Sequence, residues 1–342
     1  MNTLLGANVI EPLVLIISDQ TDMHIPLVGR HLEAMSVPYA QFNVADFPLR
    51  TQLSLIYEGD KSQLLLQLPN TDLIEYQHVR SIWYRKPHPY LLPLELSLEQ
   101  RDFAIGECQE AIIGLYKSLD CFWINHPLII QQAANKSYQL RIAQELGFNV
   151  PRTLITNDPS LVKIFYKELH GKIVYKTLRR PFFVENKFGI DPLLVKTFIY
   201  TTPLEARHLD FLDSLKFAPG IFQEYISKQI ELRVTIVGSQ IFAAGIHSQD
   251  NPDTIHDWRR YHKGKLLWQP YTLPDSIAAL CISLIRKLGL NFGAIDLILS
   301  PNEEYIFLEI NPNGEYGWIE DQTCLPISEA IAKLLVESGH RR

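Results

Sequence analysis

The sequence predicts an α/β N-terminal domain followed by α+β lobes. Three observations lead there. The first 45 residues alternate strand, helix and strand. From Pro219 onward the chain turns rich in strands joined by tight turns. And 342 residues, at roughly 150 residues per domain, call for two or three cores, which a 46% hydrophobic content can fill.

Pro12 to Ser18 is a continuous apolar run stopped by Asp19, the pattern of a strand buried on both faces. Ile25, Leu27, Val28, Leu32 and Met35 share one helical face, and Val37 to Val44 reads as the next strand, closing a β-α-β unit. Gln52 to Tyr57 and Ser62 to Leu68 flank Glu58-Gly59-Asp60-Lys61, a hairpin signal. Val79 to Tyr84 is a further strand. Ser97, with Gln100 three residues on, opens a long helix to about Leu119 with a capping box. Cys121 to Asn125 is a short strand that ends this domain. A helix from Lys136 to Leu146 stops at Gly147, and after Pro151 short strands and helices alternate to about Leu215. Strands then follow at Ile221 to Ile226, Glu231 to Val237 and Gln240 to Ile246, the last two joined through Gly238-Ser239. A helix near Asp275 to Leu288 precedes strands at Gly293 to Leu299 and Tyr305 to Ile310, and a final helix covers Ile327 to Glu337.

The formal charge of −6 argues against a nucleic-acid partner. The N-terminus lacks a basic region, and the run Leu13 to Ile17 is too short for a secretory signal. The longest uncharged stretch, Cys121 to Asn135, falls short of a membrane span. Cys108, Cys121, Cys281 and Cys324 show no metal or disulfide spacing, which fits free thiols in a reducing cytoplasm.

The sharpest chemical signal lies between Asp296 and Asn313. Asp296 interrupts the apolar strand Phe292 to Ile298, and Glu309 interrupts Ile306 to Ile310. Glu309 and Asn311 are two apart and leave their strand on one face. If the strands pair through the turn at Pro301, Asp296 shares that face. Two acids and an amide make an oxygen-rich site suited to Mg²⁺ with phosphate and water as remaining ligands. The plainer alternative is an ordinary acidic sheet face, and for Asn311 an Asn-Pro turn.

Lys176 sits among apolar neighbours in Ile173-Val174-Tyr175-Lys176, where it either meets phosphate oxygens or snorkels to the surface. Backbone groups around Glu224, Tyr225 and Ile226 have the placement to read an adenine edge, and Glu231 to accept from ribose hydroxyls.

Taken in order, Lys136, Lys176, Gln223-Glu224-Tyr225-Ile226, Glu231-Leu232-Arg233, Asp296 and Glu309-Ile310-Asn311-Pro312 resemble the ATP-grasp superfamily from about Asn135 to the C-terminus. Asp46-Phe47-Pro48, Ser81-Ile82-Trp83-Tyr84-Arg85-Lys86-Pro87, Trp123-Ile124-Asn125-His126-Pro127, Pro151 to Asn157 and Asp257-Trp258-Arg259 resemble, more narrowly, the graspetide synthetases, microviridin-type peptide maturases. The resemblance implies a pre-ATP-grasp-like domain over 1–127, a central ATP-grasp lobe over 128–218 and a C-terminal lobe with the metal site over 219–342. It implies ATP and Mg²⁺ as cofactors, a ribosomal precursor peptide with an acidic core as partner, and a homodimer. It also implies roles. Lys136, Lys176, Gln223, Glu224, Tyr225, Ile226 and Glu231 would bind ATP; Asp296, Glu309 and Asn311 would hold Mg²⁺. Arg233 would clamp the γ-phosphate and the forming acyl phosphate, or else be a cross-strand ion pair.

The segment from Arg179-Arg180 to Gly189 departs from the superfamily's glycine-rich flap. His247 stands where relatives often carry arginine and is either a general base or a polar strand-end residue. Arg259 and Arg260, with Lys263 and Lys265, either receive an acidic peptide or form a solvated loop. Arg85 either positions peptide or braces the first domain. The leading function is an ATP-dependent peptide macrocyclase. The alternatives are a carboxylate–amine ligase adding a free amino acid or amine to a peptide, and a nucleotide-binding subunit without catalysis.

Overall fold

A computed structural model describes residues 13–69, 73–179, 182–184, 196–260 and 266–338. The opening apolar run forms the strand Leu13–Ile17, buried at every position. It lies inside a four-stranded parallel sheet ordered Tyr39–Phe42, Leu13–Ile17, Val79–Tyr84, Phe122–Ile124. Both faces are covered, which is why the strand is apolar throughout. Val14 and Ile16 pack with Val28 and Leu32 of the helix His24–Ala34. Leu13, Leu15 and Ile17 pack with Ile112 and Leu115 of the helix Leu98–Ser118. That second helix opens on the expected capping box: Ser97 accepts from the Gln100 amide, and the Gln100 side chain accepts from the Ser97 amide.

The expected strand Val37 to Val44 is shorter, Tyr39–Phe42. The Asn43 side chain accepts from the Ala45 amide and turns the chain into a 3-10 turn. Gln52–Glu58 and Lys61–Gln67 form the expected hairpin, extended by Leu73–Glu75. An unexpected helix, Pro127–Ala133, follows the parallel sheet; Pro127 opens it and the His126 side chain caps it. The next helix, Lys136–Leu146, starts at the Asn135 side chain, which accepts from the Tyr138 amide, and stops at Gly147, whose φ of 94° is left-handed.

The middle of the chain forms an antiparallel sheet ordered Thr202–Pro203, Ile173–Lys176, Gly220–Glu224, Thr153–Thr156. The helix Pro159–Glu168 and the 3-10 segment Ala206–Lys216 close its core around Val162, Ile173, Leu212 and Phe222.

The last sheet has five antiparallel strands ordered Trp268–Tyr271, Gln240–Ile246, Ile230–Val237, Phe292–Leu299, Tyr305–Asn311. On one face Leu232, Val234, Ile295 and Leu297 bury against Cys281, Leu284 and Ile285 of the helix Asp275–Lys287. The opposite face is divided. At one end Val237, Phe242, Ala244 and Ile246 join the core that includes Val14, Ile16 and Trp83 of the parallel domain. At the other end the same face carries Glu231, Arg233, Asp296, Glu309 and Asn311. Among the described residues no helix is long and apolar enough to cross a membrane.

Candidate active site

Arg233, Asp296 and Glu309 stand directly opposite one another on three neighbouring strands. The antiparallel register makes this a sheet-face triad rather than a coincidence of folding. A bulge follows Asp296, so that Leu308 is the extra residue between Glu309 and Phe307. Asn311, two residues beyond Glu309, shares the face, and its Nδ2 donates to Asp296 Oδ2 at 3.2 Å. Arg233 is 6% exposed; its Nη1 donates to both Asp296 oxygens at 2.8 and 2.9 Å, and its Nη2 donates to the Glu315 carbonyl at 3.3 Å.

Lys136, the first residue of its helix, reaches across to Glu309 Oε2 at 2.7 Å. Gln139, one turn on, fixes that approach. Its buried amide donates to the Ala133 and Ile310 carbonyls and accepts from the Ile310 amide. Residues three apart on a helix share a face, so one face carries both the cation and its anchor. Lys176 comes from the facing sheet, where its Nζ donates to Gln223 Oε1 at 2.7 Å; Gln223 in turn donates to Thr153 Oγ1 at 2.9 Å. Glu231 is 8% exposed, and its Oε1 accepts from Lys228 at 2.8 Å and from Ser248 at 2.7 Å.

The charges are mutually tuned. Burial raises the Asp296 carboxyl, and the Arg233 guanidinium only partly offsets it. Burial also raises Glu309, but Lys136 and Lys176 outweigh it and hold this carboxyl below its ordinary value. Burial, with Lys136 and Lys228 nearby, lowers Lys176 to about 8. The two acids are pushed in opposite directions by their surroundings.

These residues line one cavity of about 1120 Å³ between the two antiparallel sheets. Its walls include Lys136, Lys176, Gln223, Glu224, Tyr225, Ile226, Glu231, Arg233, Arg259, Asp296, Glu309 and Asn311. The Glu224 and Tyr225 amides donate to the carbonyls of Arg152 and Lys172. Arg259 holds buried Asp257 by two bonds, Nε at 2.8 Å and Nη2 at 2.6 Å.

Three expected residues lie elsewhere. Arg85 is 1% exposed and turned inward onto Asp22 and the Gly314 carbonyl, the bracing position rather than a peptide-facing one. His247 follows its strand's end and accepts from Gln269 at Nε2, off the cavity wall. Arg260 donates to Thr202 Oγ1 and lies over the Tyr200 ring. Of the remaining basic residues, Arg179 lines the cavity, while Arg180, Lys263 and Lys265 fall outside the described residues.

Sequence reasoning missed Lys228, Ser248, Gln139 and His256. Lys228 was legible in principle, three residues before Glu231; Ser248 and Gln139 join the site only through tertiary packing. His256 lines the cavity beside the Tyr225 ring at 5.5 Å, its pKa lowered by burial and by Lys228 and Arg260.

Among the described residues no group of three His, Cys, Asp or Glu side chains forms a metal site. The donor set is instead two carboxylates and one amide, on adjacent positions of one sheet face. It fits a hard divalent cation whose other ligands are phosphate oxygens and water.

Comparison with known proteins identifies the domains. Residues 13–131 match the MvdD pre-ATP grasp domain, and residues 132–335 match the RimK-like ATP-grasp domain. No sequence match was found among curated proteins. Among solved structures, the macrocyclase MdnC of Microcystis aeruginosa MRC, bound with precursor peptide MdnA, is 36% identical; the match covers 95% of this chain and 99% of that one, with a TM-score of 0.83. A RiPP-associated ATP-grasp ligase of Chryseobacterium gregarium, in complex with ADP and a leader and core peptide, is 29% identical over 95% and 96% of the two chains, with a TM-score of 0.85. The macrocyclase MdnB of Microcystis aeruginosa MRC is 33% identical over 95% and 99%, with a TM-score of 0.77. The chain thus belongs to the RimK-like ATP-grasp family of ATP-dependent ligases, with an MvdD-type pre-ATP-grasp domain ahead of the ATP-grasp domain.

Proposed function

We propose that this protein is an ATP- and Mg²⁺-dependent macrocyclase of a ribosomal precursor peptide. It phosphorylates Asp or Glu side chains of an acidic core and closes ester rings with Ser or Thr, or amide rings with Lys. The observation that carries the reading is the one cavity in which Lys136, Lys176, Arg233 and the side chains of Asp296, Glu309 and Asn311 converge. Similarity over 95% of the chain to a macrocyclase bound with its precursor peptide supports the peptide substrate.

In this reading residues 1–127 form the pre-ATP-grasp domain, 128–218 the central lobe and 219–342 the C-terminal lobe with the metal site. Lys136 and Lys176 hold phosphate oxygens as point charges. Gln223 keeps Lys176 aimed, the Ile226 amide meets the adenine edge, and the free oxygen of Glu231 takes a ribose hydroxyl. Asp296, Glu309 and Asn311 would hold Mg²⁺, which supplies charge neutralisation at the phosphates. Arg233, fixed by Asp296 and the Glu315 carbonyl, faces the transferring phosphoryl group, where charge grows as the bond to ADP breaks. A peptide carboxylate oxygen attacks the γ-phosphorus and ADP leaves. A hydroxyl or amine of the same peptide then attacks the acyl carbon, phosphate leaves with the carboxylate oxygen, and the peptide has lost the elements of water. Arg259, held by Asp257 on the cavity wall, is suited to the incoming peptide acid. A cytoplasmic homodimer is the setting that the family resemblance implies.

Heavy oxygen placed in the peptide's carboxyl side chains tests the acyl-phosphate route. It is expected in the released phosphate; label confined to the peptide would overturn the route. The second reading, a carboxylate–amine ligase, uses the same residues but adds the acceptor's mass to the product.

A further inference from the structure

Three buried side chains of the parallel domain hold the segment that follows Asn311. Asn125 is 2% exposed; its Nδ2 donates to the Pro312 and Phe292 carbonyls, both at 2.8 Å, and its Oδ1 accepts from the Asn291 and Phe292 amides. Arg85 Nη1 donates to the Gly314 carbonyl at 3.3 Å, and the Asn313 side chain donates back to the Arg85 carbonyl. His24 Nε2 accepts from the amides of Tyr316 and Gly317 at 3.3 and 3.0 Å and lies 3.1 Å from Glu315 Oε2. Its Nδ1 lies 2.8 Å from Asp22 Oδ1 and 2.9 Å from Arg85 Nη2. Asp22 Oδ2 also accepts from Arg85 Nε at 3.1 Å, so one carboxylate orients both the arginine and the histidine.

The held segment lines the cavity from Asn311 to Glu315. Asn311 begins it, and the Glu315 carbonyl is the acceptor for Arg233 Nη2. Gly314 lies so close that a Cβ there would meet Arg233 Nη2 at 2.9 Å. A shift of the segment therefore moves the arginine and the amide together.

We infer that Asp22, His24 and Arg85 are positioning residues: through residues 311–317 they set Arg233 and Asn311 for the metal-bound γ-phosphate. The inference rests on the proposed roles of Arg233 and Asn311. It makes the parallel domain part of the phosphoryl-transfer machinery rather than only a neighbour of it, although none of the three side chains faces nucleotide. Asp22 and Arg85 are almost wholly enclosed, and a bidentate carboxylate between a guanidinium and an imidazole has one low-energy arrangement. The segment is thus held by oriented bonds rather than by apolar contact alone.

Calorimetric titration with the non-hydrolysable analogue AMPPNP, with Mg²⁺ and in EDTA, tests this in the full-length protein. ADP in EDTA serves as the control for the adenine and ribose end. In the wild type, Mg²⁺ is expected to strengthen AMPPNP binding. In Asp22→Asn and His24→Ala that gain is expected to shrink about tenfold, the scale of one or two lost oriented hydrogen bonds, while ADP binding in EDTA stays unchanged. His24→Gln retains an acceptor for the two amides and is expected to recover most of the gain. Variants that keep the full Mg²⁺ gain would overturn the inference. So would variants that lose ADP binding in EDTA in equal measure, because that marks general damage. A wild type with no Mg²⁺ gain would instead overturn the metal assignment on which the inference rests.

Discussion

Glu309 is the residue on which the most chemistry converges. It faces Asp296 across the sheet and pairs with Lys136, and in the proposed function it belongs to the oxygen set for the cation. Glu309→Gln preserves shape and a carbonyl oxygen but removes one metal-directed charge. Turnover of ATP is expected to fall by at least about a hundredfold, with the melting temperature little changed; full turnover in the folded variant would remove Glu309 from the metal set. Lys176 gives a pH prediction. Its folded value of about 8 lies below the ordinary lysine value of 10.5. Between those values the unfolded chain binds the extra proton, so this lysine costs stability in full below pH 8 and the cost fades as pH rises toward 10.5. Lys176→Met should therefore raise the melting temperature of the nucleotide-free protein at pH 7. It should also abolish the stabilisation that Mg-ADP confers on the wild type. Phosphate binding restores the charge on Lys176, so nucleotide affinity in the wild type should weaken above pH 8, with proton uptake detectable by calorimetry in buffers of different ionisation heat. Affinity that is flat from pH 7 to 10 would contradict this.

At the scale of elements, strand and helix identities were legible because the apolar patterns are long and cleanly punctuated. The capping box at Ser97, the stop at Gly147 and the hairpin through Gly238 each rest on local chemistry, which sequence displays. Ser97→Ala should cost about 1 kcal/mol, measured by urea unfolding, without moving nucleotide affinity. What sequence did not display depends on register and packing. Asp296, Glu309 and Asn311 could be placed on one face from two-residue spacing, but the alignment of Arg233 with Asp296 needed the long-range pairing of two strands, Val237 opposite Phe292 onward. The helix Pro127–Ala133 was hidden because an uncharged run has no helical periodicity to read. His247 and Arg260 were drawn toward the cleft by neighbouring motifs, whereas their side chains point to Gln269 and Thr202. Gly314 is the tightest joint in the site, since an added Cβ would lie 2.5 Å from Ala294 Cβ. Gly314→Ala should destabilise by about 1–3 kcal/mol and lower turnover further than that loss of stability explains; a variant with wild-type turnover would show that the segment tolerates displacement.

Across the whole molecule, three sheets divide one task. The parallel domain holds the segment after Asn311, the middle sheet presents Lys176 and the backbone of Glu224 to Ile226, and the five-stranded sheet carries the triad. The central claim is that this arrangement condenses a peptide with itself. The most direct test is a mass spectrum of the acidic precursor peptide after incubation with the protein and Mg-ATP. The account predicts stepwise loss of water, one ADP released for each loss. A product heavier by an added amine, or an unchanged peptide despite ATP consumption, would contradict it.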